Sequence, residues 1–377
     1  MNTSRPAVGK YPVENDTVLE QTIARWVPES IRTLKAYHVP PADGLLKLDA
    51  MESPYELTDD MQQKWLNELG KVSVNRYPDP SCRVLKESMK KVFSIPESAG
   101  VMLGNGSDEL IQIIVMLVAA PGRKILAPVP TFSMYEIISA AMGCDFIGVP
   151  LKPDFSLDTE KMLSEIRAHQ PACVFLSYPN NPTGNCFDEA MIDEVIKSAP
   201  GLVVLDEAYF AFCQRSFMDK LDFYPNLVIL RTMSKSGLAG LRLGMLMARP
   251  MWVEQLEKLR LPYNINILTQ TSALFYLDNY RLLQSQSEQI LQERVWLESK
   301  LRELTGLLVF KSNANFILVK VNDSSQFVFD QLMLEGVLIR NLHQSGTLLE
   351  NCLRITVSTR EQNLVFLDAF RRVLAAV

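Results

Sequence analysis

Lys235 stands in Ser-Lys-Ser-Gly, after the apolar run LVIL and before a loop punctuated by glycines. Its amine suits an imine with an aldehyde cofactor, although a lysine closing a strand is usually a solvated loop residue. Asp206 and Glu207 follow the run LVVL, where a carboxylate can either cap a turn or pair with a protonated ring nitrogen. Tyr209, three residues further on, can reach a phenolate oxygen on the same ring. Asn181 can donate to that oxygen too, although Asn-Asn-Pro-Thr-Gly at 180–184 is by itself a tight-turn string. The spacing links these residues: Asn181 precedes Asp206 by 25 positions, Asp206 precedes Lys235 by 29, and Lys235 precedes Arg242 by 7.

A phosphate would need its own cradle. In Gly104-Asn105-Gly106-Ser107-Asp108-Glu109 the glycines allow close backbone approach, and Ser107 reads as the N-cap of a following helix whose first N–H groups can hold an anion. Asp108 and Glu109 oppose an anion by charge, yet they are ordinary first-turn complements to the helix dipole. Arg242 in Gly-Leu-Arg-Leu-Gly can supply a cation and Ser234 a hydroxyl. Pyridoxal phosphate is a cofactor that uses all of these groups, because its pyridinium draws electrons from a substrate carbanion only while the ring nitrogen stays protonated.

The elements that must position these residues are legible as short apolar runs between about 99 and 249: VML, KIL, CVFL, LVVL, LVIL and GMLMA, separated by helix-length segments. Such runs predict a mostly parallel sheet covered on both faces, with polar residues gathered at the carboxyl ends of its strands. A helical pattern over 270–304 leads to a smaller α+β unit. That unit reads as strand 315–321, helix 325–335, strands in VLIRNL and LRITVS, and a closing helix. Residues 1–20 show no period and read as a flexible arm.

The chain has 377 residues, enough for two domains. Its net charge of -5 gives no basic footprint for nucleic acid. The six cysteines never form a CxxC pair and there are only three histidines, so neither a metal site nor a disulfide framework is legible. With no signal peptide and no membrane segment, the expectation is a cytoplasmic protein.

Taken in order, GSDE, YPNNPTG, DEAY, TMSK and GLRLG resemble the fold-type-I aminotransferases. The resemblance implies a large pyridoxal-phosphate domain with a mostly parallel seven-stranded sheet, a small α+β domain built from both ends of the chain, and a homodimer with shared active sites. It makes Lys235 the Schiff-base lysine, Asp206 the ring-nitrogen partner, and Tyr209 and Asn181 the donors to the phenolate oxygen. Ser107, Asp108 (through its backbone), Ser234 and Arg242 become the phosphate cup, Gly106 and Thr232 are further cofactor-binding residues, and Phe132 stacks on the ring where relatives often have tyrosine. The boundaries implied are 21–50 with 286–377 for the small domain and 51–285 for the large one.

LDAMESPYE (48–56), NRYPD (75–79) and CLRITV (352–357) are similar to the LNxNENP, NRYP and CLRITV segments of histidinol-phosphate aminotransferases. That branch implies exchange of an amino group between histidinol phosphate and 2-oxoglutarate, by a ping-pong course through an internal aldimine and pyridoxamine phosphate. Arg354 would receive both the phosphate ester and the α-carboxylate, since one planar guanidinium suits either anion. Arg340 and Tyr37 would assist it, and Tyr77 would reach the cofactor phosphate of the partner subunit. An aromatic or broad-specificity aminotransferase, or a threonine-phosphate decarboxylase, would use similar residues. The loop between Lys235 and Arg242 is one residue shorter than in many relatives, which calls for a tight turn at Gly237, and Ser358 replaces a usual glycine.

Overall fold

Strands that are apolar on both faces need a cover of helices on each side, and residues 100–248 fold in that way. The computed structural model describes residues 16–34 and 41–375. Seven strands form one sheet: β1 (Gly100–Asn105), β2 (Lys124–Val129), β3 (Asp145–Pro150), β4 (Cys173–Ser177), β5 (Leu202–Asp206), β6 (Leu227–Thr232) and β7 (Leu243–Ala248). Their order is β1-β7-β6-β5-β4-β2-β3. Only β7 runs against its neighbours; the other pairings are parallel. β3 is the strand that apolar runs did not disclose, because it is an edge strand with one buried residue, its other positions being exposed or half-buried, and carries Gly148 and Pro150.

Alternation along the strands splits the core between the two faces of the sheet. Leu103, Leu176, Leu205 and Ile229 belong to one cluster, and Met102, Phe175, Val204 and Leu230 to the other. The register matters for function. Ser177 lies opposite Asp206, Asp206 opposite Leu230, Thr232 opposite Gly244 and Asn105 opposite Leu243. The carboxyl ends of β1, β4, β5 and β6 therefore share one edge with the amino end of the reversed β7.

A smaller antiparallel sheet follows, with β8 (Leu307–Val309), β9 (Phe316–Val321), β10 (Arg340–Asn341) and β11 (Cys352–Thr356) in the order β10-β11-β9-β8. Helices Ser325–Leu334 and Arg360–Ala375 pack in its neighbourhood, and Phe316, Ile355, Phe366 and Phe370 share a core with Leu48, Met51, Ile290 and Leu297. The early segment Leu46–Lys47 pairs in parallel with Val337–Leu338. The helical pattern expected to run unbroken over 270–304 is two helices, Ile267–Asp278 and Tyr280–Arg302. Asn279 leaves helical geometry between them, and its side chain donates to the Phe275 carbonyl at 2.8 Å.

The chain falls into two compact units, 1–40 and 41–377. In the first, helices Asp16–Trp26 and Glu29–Arg32 are described. Residues 16–20 are thus helical rather than irregular, since Leu19, Ile23 and Trp26 recur at helical spacing; all three are exposed. All six cysteines are free thiols. Among the described residues no His/Cys/Asp/Glu group could hold a metal ion, and no helix is long and apolar enough to cross a membrane.

Candidate active site

The shared strand edge opens onto a pocket lined by Ser107, Asp108, Phe132, Asn181, Asp206, Tyr209, Thr232, Ser234, Lys235 and Arg242, together with Met51, Ser177 and Ala208. Its empty volume, about 510 Å³ with the open mouth included, falls in the ~300–1,000 Å³ usual for small-molecule sites. The first ten of these residues are ones the sequence singled out, eight by their type and setting and Phe132 and Thr232 through the family resemblance. Ser177 directly follows the apolar run CVFL. Met51 and Ala208 gave no chemical signal.

One end of the pocket is built for an anion. The helix Gly106–Val118 starts two residues earlier than a Ser107 cap would imply. Asn105 is its N-cap residue, but the Asn105 side chain is turned away to donate to the Asn264 carbonyl at 2.7 Å, and Glu109 Oε2 accepts the Asn105 N–H at 2.7 Å. Ser107 and Asp108 therefore sit in the first turn, where amide N–H groups have no partner within the helix. Arg242 adds a fork: Nη1 donates to Ser234 Oγ and Nη2 to Asp108 Oδ2, each at 3.2 Å. A Cβ on Gly106 would lie 2.6 Å from Arg242 Nη2, and the residue's φ is +79°. Only glycine lets the backbone pass beneath the guanidinium in that conformation. Thr232 Oγ1 donates to Ser234 Oγ at 3.0 Å and accepts the Ser234 N–H, closing the cup. Gly237 takes the turn in the shortened loop with a φ of +101°.

At the other end lie an acid and an amine. Asp206 is buried at the end of β5, where Tyr135 donates to Oδ2 at 2.8 Å and the Ala208 N–H to Oδ1 at 3.1 Å. Burial pushes its carboxyl up to about 6, against the pull of those two donors. Glu207, next in sequence, has a different task. It accepts from Arg231 Nε, Ser216 and the Phe217 N–H in a fully buried pair. Lys235 Nζ donates to the Ala50 carbonyl at 3.0 Å. Burial, and then the positive charge of Arg354, lowers its ammonium to about 8.

Arg354 comes from the middle of β11, and it reaches the pocket through Asn181. Its Nη1 donates to Asn181 Oδ1 at 2.6 Å and its Nη2 to the Asp49 carbonyl at 2.8 Å. Among its contacts, this buried guanidinium has a side-chain amide oxygen of a pocket residue and a backbone carbonyl. The same β11 holds the 48–51 segment in place. Leu48 accepts the Thr356 N–H, Thr356 Oγ1 accepts the Met51 N–H, and Asn315 donates to the Met51 carbonyl. Met51 adopts a φ of +54° there, a conformation that side chains other than glycine rarely take. Arg340 faces Arg354 across the β10–β11 pair but does not line the pocket. Tyr77 is 80% exposed, stacked on Tyr263 at 4.3 Å, and does not line the pocket of its own chain. Tyr37 lies outside the described residues.

The family model described as "Aminotransferase class I and II" matches residues 44–370. Histidinol-phosphate aminotransferase 2 of Nitrosococcus oceani is 48% identical over 93% of this chain and 97% of its own length. Histidinol-phosphate aminotransferase 2 of Cupriavidus pinatubonensis is 46% identical over 92% and 96%. Among solved structures, the histidinol-phosphate aminotransferase of Sinorhizobium meliloti in complex with pyridoxal-5'-phosphate superposes with a TM-score of 0.83 at 23% identity, covering 94% of this chain and 98% of that one.

Proposed function

The chain belongs to the class I and II aminotransferases, which work with pyridoxal 5'-phosphate, and on that premise we propose that it transaminates histidinol phosphate in histidine biosynthesis. The amino acceptor is 2-oxoglutarate, and the two substrates take turns in one site, giving imidazole acetol phosphate and glutamate by ping-pong kinetics. The observation that carries the reading is Arg354, a buried cation that reaches the pocket from the middle of β11 and donates to its lining residue Asn181 at 2.6 Å. One guanidinium can receive a phosphate ester in one half-reaction and a carboxylate in the other. The near full-length similarity to histidinol-phosphate aminotransferases supports the same choice.

The residues fit the cofactor. A first-turn amide cup with Ser107, Ser234 and Arg242 suits its phosphate, Phe132 its ring face, Asp206 its ring nitrogen, Asn181 and Tyr209 its phenolate oxygen, and Lys235 its aldehyde. When bound, pyridoxal phosphate supplies the electron sink that makes a proton on the substrate's α-carbon removable. Lys235, mostly neutral above about pH 8, would take that proton as a base and, as an acid, give it to the carbon that carried the cofactor's aldehyde. Asp206 as a carboxylate keeps a proton on the ring nitrogen. Arg354 fixes the substrate by its anion, with Arg340 and Tyr37 as its helpers.

We take the working form to be a homodimer in which Tyr77 serves the partner's site. Residues 286–377 with 21–50 act as the small domain, and 51–285 as the cofactor domain. The six free thiols suit a cytoplasmic setting.

The decisive assay compares amino donors, with 2-oxoglutarate as acceptor. A kcat/KM for histidinol phosphate above that for phenylalanine is expected, since phenylalanine offers Arg354 a singly charged carboxylate where histidinol phosphate offers a phosphate ester of higher charge. Preference for phenylalanine, or carbon dioxide released from phosphothreonine, would overturn the assignment.

A further inference from the structure

Asp206 has a partner that neither the mechanism above nor its spacing motif includes. Tyr135 lies on the helix Met134–Ala141, one turn beyond Phe132, and has no exposed surface. Its ring is stacked on Phe175 with centroids 4.6 Å apart and planes 10° from parallel, and it meets the Phe132 ring edge-on at 5.6 Å. A ring fixed on two sides holds its hydroxyl against Asp206, where it donates to Oδ2 at 2.8 Å. The Ala208 N–H holds the other carboxylate oxygen.

We propose that Tyr135 is a positioning residue of the transamination site: its hydroxyl fixes the orientation of the Asp206 carboxylate and keeps it ionised, so that the cofactor ring nitrogen stays protonated. The inference rests on the reading of Asp206 as the ring-nitrogen partner.

The balance at Asp206 shows why such a donor is needed. Burial raises its pKa, and so do two other acids, Asp108 from the helix Gly106–Val118 and Glu207 from the end of its own strand. The Tyr135 hydroxyl and the Ala208 amide oppose them. Tyr209, on the turn after β5, and Ser177, at the end of β4, also face the tyrosine hydroxyl. Tyr135 itself stays a donor throughout, because burial and the Asp206 charge hold its ionisation well above the ordinary phenol range. A hydrogen bond to the charged form favours that form, and a donor to a charge is worth more than one to a neutral group.

Tyr135→Phe keeps the stacked ring and removes only the hydroxyl. The test is titration of the cofactor-free chain with pyridoxal phosphate from pH 5.5 to 8.5, for the wild type, Tyr135→Phe and Asp206→Asn, followed by kcat and KM for the first two. Wild-type affinity should fall as pH drops through about 6, where Asp206 gains a proton. In Tyr135→Phe the fall should begin about one pH unit higher and the affinity at pH 7 should be about tenfold weaker, from one lost hydrogen bond to a charged group. Its kcat should fall while KM for the amino donor stays near the wild-type value. A fall at the wild-type pH, or a loss equal at every pH, would mean packing alone and would overturn the inference. Asp206→Asn binding as tightly as the wild type across the range would overturn the reading of Asp206 itself, and the role of Tyr135 with it.

Discussion

Lys235 is a poor place to keep a positive charge, and that fits its task. Burial and the nearby Arg354 bring its ammonium to about 8, with Arg242 adding to the same effect and Asp108 and Glu52 opposing it. Only the neutral amine attacks an aldehyde. The rate at which the cofactor-free chain bonds covalently to pyridoxal phosphate should therefore rise about tenfold per pH unit up to about 8 and level off above it. In Arg354→Gln one of the depressing charges is gone, so the levelling should move to higher pH. Reductive trapping followed by mass measurement checks both; a rate independent of pH between 6 and 9 would refute them. Lys235, Asp206, Asn181 and Arg242 were legible in the sequence because each ends or follows a short apolar run at characteristic spacing. Tyr135 was within reach of the same argument, three residues past Phe132 on a helix. The Ala50 carbonyl was not, since a backbone acceptor for Lys235 has no residue type to announce it.

At the scale of elements, the anion cup depends on how closely β7 passes the start of the helix Gly106–Val118. A Cβ on Gly244 would lie 2.5 Å from the Gly106 carbonyl carbon and 2.6 Å from the Ser107 nitrogen. Backbone cannot yield as a flexible side chain can, so Gly244→Ala must push the cup open. Overpacking of this kind costs about 1–3 kcal/mol, and cofactor affinity should fall by at least about fivefold. Gly240→Ala, with nothing within 4 Å of the added carbon, is the control and should bind normally. Equal affinities in a cofactor titration would show that the cup tolerates the shift. Elements with strong patterns were readable and weak ones were not. β4, β5, β6 and β7 are buried throughout and read as unbroken apolar runs. β3 and β8 are an edge and a three-residue strand, with exposed positions that dilute the pattern. Asn279 splits a helical pattern whose period alone carries no sign of the break.

For the whole molecule, the placement of Tyr77 gives the sharpest prediction. It is exposed beside Tyr263 and does not line the pocket of its own chain. If it serves a partner's site, mixing Tyr77→Phe with Lys235→Ala chains yields heterodimers in which one site carries both changes and the other neither. Activity should recover to about a quarter of the wild-type level for random exchange, half the molecules having one intact site of two. No recovery despite chain exchange shown by native mass spectrometry would exclude shared sites. The site also has a consequence for synthesis. Met51 is held by Thr356, 305 residues later, and the Asp49 carbonyl by Arg354. At roughly 5–20 residues per second, the ribosome delivers the holder about 15–60 s after the segment it holds. All the cup residues, from Ser107 to Arg242, emerge in that interval, so the nascent chain owns a phosphate cradle well before it owns the clasp that sets Ala50 against Lys235.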